Sequence, residues 1–141
     1  MAESEIRRSG GCLCGALRYE ARGEPMFAGY CYCRDCQKAS GSGFIPFMGF
    51  AQANVRFSGA TRQFRSKAAR GHAVRNSCPV CASLVFGGEL GRTDYFTIYA
   101  GSLDDPARFE PKVAIFARSR PPWVVTPADL TVFDELPPPA A

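Results

Sequence analysis

The chain has 141 residues, 17 basic side chains against 13 acidic ones, one histidine and seven cysteines. Its 46% hydrophobic and 21% charged residues exclude wholesale disorder, and its length fits one domain and not two. The longest apolar stretch, Phe44 to Ala51, is interrupted by Pro46 and Gly49 and falls well short of the ~18 residues that a membrane helix needs.

In chain order, residues 1–9 are polar and are expected to form a flexible N-terminus. Met1 to Arg8 carries no apolar core behind its charges, so a secretory signal is not expected. Ala16 to Ala21 alternates apolar and polar residues and predicts a strand. Arg34 to Ser40, closed by Gly41, predicts the single short helix. Val55 to Ser58 and Gln63 to Ser66 alternate again, and Ala73 to Asn76 and Ser83 to Phe86 predict strands on either side of a cysteine pair. Tyr95 to Ala100 is rich in aromatic and β-branched residues and stops at Gly101, and Lys112 to Phe116 is a further apolar strand. Residues 137–141, Pro-Pro-Pro-Ala-Ala, predict a flexible tail. Glycine and proline at short intervals disfavour long helices. The expected fold is therefore mainly β, with antiparallel strands and a short helix in one domain over residues 10–136.

The cysteines form three clusters: Cys12 and Cys14; Cys31, Cys33 and Cys36; Cys78 and Cys81. An odd number of thiols cannot all pair internally. With no export signal expected, a reducing cytoplasm and metal binding are the natural reading. Soft thiolates and a tetrahedral demand point to zinc. Four sulfurs close a tetrahedron and three leave a vertex open. The economical partition joins the two pairs, Cys12, Cys14, Cys78 and Cys81, into one closed site and leaves Cys31, Cys33 and Cys36 as a three-sulfur site. Three alternatives stay open for that triplet: closure by His72, ligation by Asp35, or a redox or merely buried thiol cluster. Seven thiolates subtract seven charges from the formal +4 and two zinc ions return four, leaving about +1. The basic residues also form no run of five or more, so nucleic acid has no strong electrostatic case and is not expected as a partner.

Gly10 to Glu20, with Cys12-Leu13-Cys14-Gly15 inside it, resembles the opening motif of the glutathione-dependent formaldehyde-activating enzyme family, which also includes centromere protein V. Cys31 to Ser42 resembles its second motif, Cys78 to Leu84 its third, and Tyr99 to Asp105 with Phe109-Glu110-Pro111 and Pro122-Trp123 its C-terminal half. The resemblance implies a small zinc-stapled β-tent fold and carbon–sulfur lyase activity that interconverts glutathione plus formaldehyde with S-hydroxymethylglutathione. It implies two zinc ions per chain: a structural one on Cys12, Cys14, Cys78 and Cys81, and a catalytic one on Cys31, Cys33 and Cys36. Tyr32 and Ala114 stand where the family often has histidine, Ser77 replaces an aromatic residue, and Ala82 replaces a glycine.

An ion held by three thiolates is a weak Lewis acid compared with a three-histidine site, which favours a soft thiol over activated water. A small acidic thiol such as glutathione would then need cations, for which Arg34, Arg75, Arg118 and Arg120 are candidates. Tyr32 lines the pocket or packs in the core, Phe44 and Phe47 are expected in the core, and Ser40 and Ser42 are expected to end the helix. The alternative function is a non-catalytic zinc-stapled binding module for protein or nucleic acid.

Overall fold

The computed structural model describes residues 6–68 and 71–138, so the expectations for residues 1–5 and 139–141 lie outside the described residues. In chain order its elements are β1 (Arg7–Gly11), β2 (Arg18–Arg22), β3 (Phe27–Cys31), α1 (Arg34–Ser40), β4 (Ile45–Ala51), β5 (Val55–Ser58), β6 (Arg62–Ala68), β7 (Gly71–Ser77), β8 (Leu84–Gly87), β9 (Tyr95–Tyr99), β10 (Val113–Ile115) and β11 (Thr131–Val132). The fold is mainly β with one short helix. A three-stranded antiparallel sheet, β1-β2-β5, packs against an eight-stranded sheet in the order β11-β10-β3-β4-β9-β8-β7-β6.

The large sheet is not wholly antiparallel. Strand β10 runs parallel to both β3 and β11. The chain from 116 to 130 between β10 and β11 supplies the dozen or more residues that a parallel return requires. At the other end, β1 starts at Arg7, inside the segment expected to be flexible. Its residues pair in register with β2, and the Arg8 guanidinium donates to the carbonyls of Gly23 at 2.9 Å and Arg108 at 3.0 Å.

The helix has the boundaries its sequence predicts. Gly41 takes the left-handed conformation, φ 66°, and returns its N–H to the Gln37 carbonyl, which a residue with a Cβ does less readily. Ser40 ends the helix as expected: its hydroxyl donates to the Cys36 carbonyl at 2.8 Å and accepts from the Ser42 N–H at 3.2 Å. Strands β3 and β4 show no alternation because both faces of the sheet are covered there. Gly49 serves a close approach, since a Cβ would fall 2.1 Å from the Phe27 ring.

Successive side chains of β4 and β9 point to opposite faces and so divide the interior. Met48, Phe50, Phe96 and Ile98 pack with Leu17, Tyr19, Phe86, Cys12 and Cys78 in one cluster. Ile45, Phe47 and Tyr99 pack with Cys31, Cys33, Cys36, Ile115 and Phe116 in another. Neighbours on a strand point to opposite faces, so the two cysteine groups lie on opposite sides of the central strands.

Candidate metal centres and the adjoining cleft

Two tight turns build the four-sulfur group. In the first, Gly15 at φ 84° returns its N–H to the Cys12 carbonyl at 3.2 Å. In the second, Ala82 at φ 64° returns its N–H to the Cys78 carbonyl at 2.8 Å. The sulfurs of Cys12, Cys14, Cys78 and Cys81 all lie within 4.8 Å of one another. Backbone N–H groups point at them: Leu17 to Cys12 at 3.2 Å, and Val80 and Cys81 to Cys78 at 3.3 and 3.5 Å. The Ser83 hydroxyl, with help from N–H groups of Ser83 and Cys14, holds the Cys81 thiol down to about 5. Although the Ala16 N–H favours its thiolate, desolvation and the neighbouring sulfurs push Cys14 up to about 11.

The triplet gathers where β3 meets α1. Cys31 ends the strand, Cys33 caps the helix by accepting the Cys36 N–H at 3.3 Å, and Cys36 sits in the first turn. All three are buried, with sulfurs within 4.8 Å of one another. The Cys33 and Cys36 thiols, together with burial, raise the Cys31 pKa far above that of an ordinary thiol. Although the Cys31 thiol and the Arg75 guanidinium favour its thiolate, the Cys33 thiol and burial raise the Cys36 pKa as well, and a thiophilic cation reverses that preference. None of the seven cysteines is in a disulfide, and they divide four and three between the two groups. Both donor sets suit zinc, with no competing disulfide.

Neither side chain considered for closing the triplet joins it. His72 is exposed on β7 opposite Lys67. The Asp35 carboxylate is taken by Arg75, at 2.5 and 3.1 Å, and by the Ser66 hydroxyl at 2.9 Å. Arg75 is only 4% exposed and so is not a free cation for a ligand. It also donates to the Tyr99 hydroxyl at 2.9 Å and to the Cys36 sulfur at 3.5 Å. Burial alone would lower its pKa. Tyr99, Asp35 and Cys36 outweigh that, so the guanidinium stays charged. Tyr32 is fully buried, its hydroxyl 2.8 Å from that of Thr126, and packs with Phe44 in the core. Phe47 is buried as expected.

A cleft of about 390 Å³ opens at Cys33, walled by Phe116, Ser119 and the stem of α1. Its charged lining is Arg34, Asp35, Lys38, Lys67, Arg118 and Glu135. Glu135 is paired with Arg118 at 2.6 Å and Asp35 with Arg75. Arg34, Lys38 and Lys67 therefore remain as cations without an ion pair among the described residues. Among the described residues, Arg34 hydrogen-bonds only the neutral Gln37 side chain. Of the candidate arginines, Arg34 and Arg118 reach the cleft. Arg120 bonds the Val124 carbonyl instead. Lys38 and Lys67 carry no motif. Lys67 arrives from the β6–β7 hairpin, whose position only the fold reveals. Phe116 stands at a left-handed φ of 54°, strained for an aromatic residue, and donates its N–H to the Glu135 carbonyl at 3.1 Å. A larger hollow of about 810 Å³ lies beside Cys12, Ser83 and the end of α1, but no cation among the described residues lines it.

A family model described as glutathione-dependent formaldehyde-activating enzyme matches residues 7–119. The chain belongs to this family. The matched span begins at β1 and takes in both cysteine groups and every residue of the cleft except Glu135. No curated protein matches the chain. A solved structure of a Rhodobacter sphaeroides protein matches with a TM-score of 0.52 at 17% identity, covering 68% of this chain and 87% of that one. A likeness at that identity concerns the fold alone. Among the described residues, no helix is long and apolar enough to cross a membrane.

Proposed function

We propose that this chain is a carbon–sulfur lyase that joins a small anionic thiol such as glutathione to formaldehyde, giving S-hydroxymethylglutathione, and also runs the reverse reaction. The observation that supports this reading most is the three-sulfur group whose Cys33 lines a cleft carrying three cations without an ion pair among the described residues. The reaction balances without a redox partner. A sulfur–carbon bond forms, the carbonyl π bond breaks, and the proton lost from the thiol is the one gained by the former carbonyl oxygen.

A zinc ion held by Cys31, Cys33 and Cys36 would supply thiol activation and polarisation of an aldehyde oxygen. The chain's own residues do the rest. Arg34, Lys38 and Lys67 receive the carboxylates of the thiol at the mouth of the cleft, and Phe116 gives it an apolar wall. Cys12, Cys14, Cys78 and Cys81 would hold a second ion as a staple between the N-terminal turn and the β7–β8 hairpin. Seven cysteines outside any disulfide and a thiol substrate suit a reducing compartment such as the cytoplasm.

Exchange NMR with labelled formaldehyde and glutathione tests the proposal. The zinc-loaded protein is expected to accelerate exchange between free formaldehyde and its glutathione adduct. Cys33→Ser is expected to abolish the acceleration in a folded chain, whereas Cys78→Ser is expected to lower the stability of the fold. Exchange at the uncatalysed rate with both metal groups filled would replace the enzyme by an architectural, zinc-stapled binding module.

A further inference from the structure

We infer that Arg75 is a positioning residue for the three-sulfur centre: through Asp35 it fixes the first turn of α1, and through its bond to Cys36 it withdraws electron density from that sulfur. This rests on the reading of Cys31, Cys33 and Cys36 as metal ligands. The geometry comes from one buried guanidinium whose donors are shared among three partners. Nε and Nη2 hold Asp35 Oδ2, Nη1 holds the Tyr99 hydroxyl, and Nη2 also reaches Cys36 Sγ. The Ser66 hydroxyl donates to the same Asp35 Oδ2, so β6, β7 and, through Tyr99, β9 all bear on the helix turn that carries two of the three sulfurs.

The charges explain why a guanidinium stands here. Three thiolates around a divalent ion carry a net −1, and Asp35 adds another negative charge. An unmatched charge in a buried site is costly, and Arg75 is the buried cation that meets both. Cys33 receives a backbone N–H, a neutral donor. Cys36 receives a charged one, and charge-assisted hydrogen bonds are the stronger kind. Partners of this type set ligand basicity and orientation in metal sites. Arg75 thus keeps Cys36 from being a fully electron-rich ligand, which preserves the acidity that the centre imposes on an incoming thiol.

The test uses the full chain loaded with cobalt(II), whose thiolate charge-transfer bands report sulfur donor strength. The four-sulfur group is common to all variants, so difference spectra isolate the triplet. Arg75→Met is expected to bind two cobalt ions, with the triplet's charge-transfer band moved to lower energy. It should also release one of the two ions to a chelator with affinity weakened roughly 10–100-fold. Arg75→Lys keeps the charge but not the three-way donor geometry, and is expected to shift the band less. If Arg75→Met fails to fold, the double variant Asp35→Asn/Arg75→Met, which strands no carboxylate, gives the same reading. Two cobalt ions in every variant with superimposable spectra and equal release overturn the inference and leave the metal reading intact. A single cobalt ion in the unsubstituted protein overturns the metal reading and the inference with it.

Discussion

The hydroxyl of Ser83 stands 3.2 Å from the sulfur of Cys81. The same oxygen accepts the Leu13 N–H at 3.1 Å, so one side chain joins the two turns of the four-sulfur group. Ser83→Ala removes both bonds. It is expected to weaken metal retention at that group roughly 10–100-fold, as outer partners of metal ligands do, while leaving the triplet unchanged. Competition with a chromophoric chelator measures this as one fast-releasing ion of two.

The same contact makes a pH prediction for protein stripped of metal. Cys81, held down to about 5, is a thiolate at neutral pH, whereas Cys14, pushed up to about 11, remains a thiol. Iodoacetamide at pH 7 is expected to label Cys81 first and Cys14 slowly, as read by peptide mass spectrometry, and Ser83→Ala slows Cys81. The stability sign follows. A depressed pKa adds stability that is complete above the ordinary value of 9.0 and is lost as pH falls through about 5. Denaturant midpoints therefore decline across that window, less steeply in Ser83→Ala.

Ala82 occupies a backbone conformation suited to glycine, with φ 64°. A left-handed alanine costs about 1–2 kcal/mol, and the looser unfolded chain of a glycine variant returns about 0.4–1 kcal/mol of that. Ala82→Gly is expected to raise the melting temperature by about 2–3 °C without changing metal content. Calorimetry that shows a decrease would mean that the turn is not strained.

How far the sequence shows these features varies with the residue. The helix is legible because Gly41 and Ser40 are local signals that act on the backbone beside them. Strand β5 is legible because Val55 to Ser58 lies in a sheet with one open face. Strands β3 and β4 are hidden because Phe27 to Cys31 and Ile45 to Ala51 are covered on both sides, which erases alternation and admits Gly49 and Pro46. The division of cysteines into four and three is legible by counting. The partners of Arg75 are not, because Asp35 and Cys36 meet it only when β7 is brought beside α1. Lys67 is invisible for the same reason: its role depends on where a hairpin lands.

Lys38 and Lys67 are solvent-facing cations, so each is worth modest energy, about 1 kcal/mol or roughly fivefold in affinity. Lys67→Ala is expected to raise KM for glutathione by about that factor, leave kcat nearly unchanged, and leave an uncharged thiol such as mercaptoethanol unaffected. Added salt should mimic the substitution. Equal losses with charged and uncharged thiols would place these lysines outside recognition.

The most direct measurement is titration of glutathione into the cobalt-loaded protein, followed by its visible spectrum. The account predicts two cobalt ions per chain and a saturable change in the ligand-field bands as the thiol enters the shell of the triplet, absent in Cys33→Ser. A fully loaded chain whose spectrum does not respond to glutathione or to any other small thiol would contradict it.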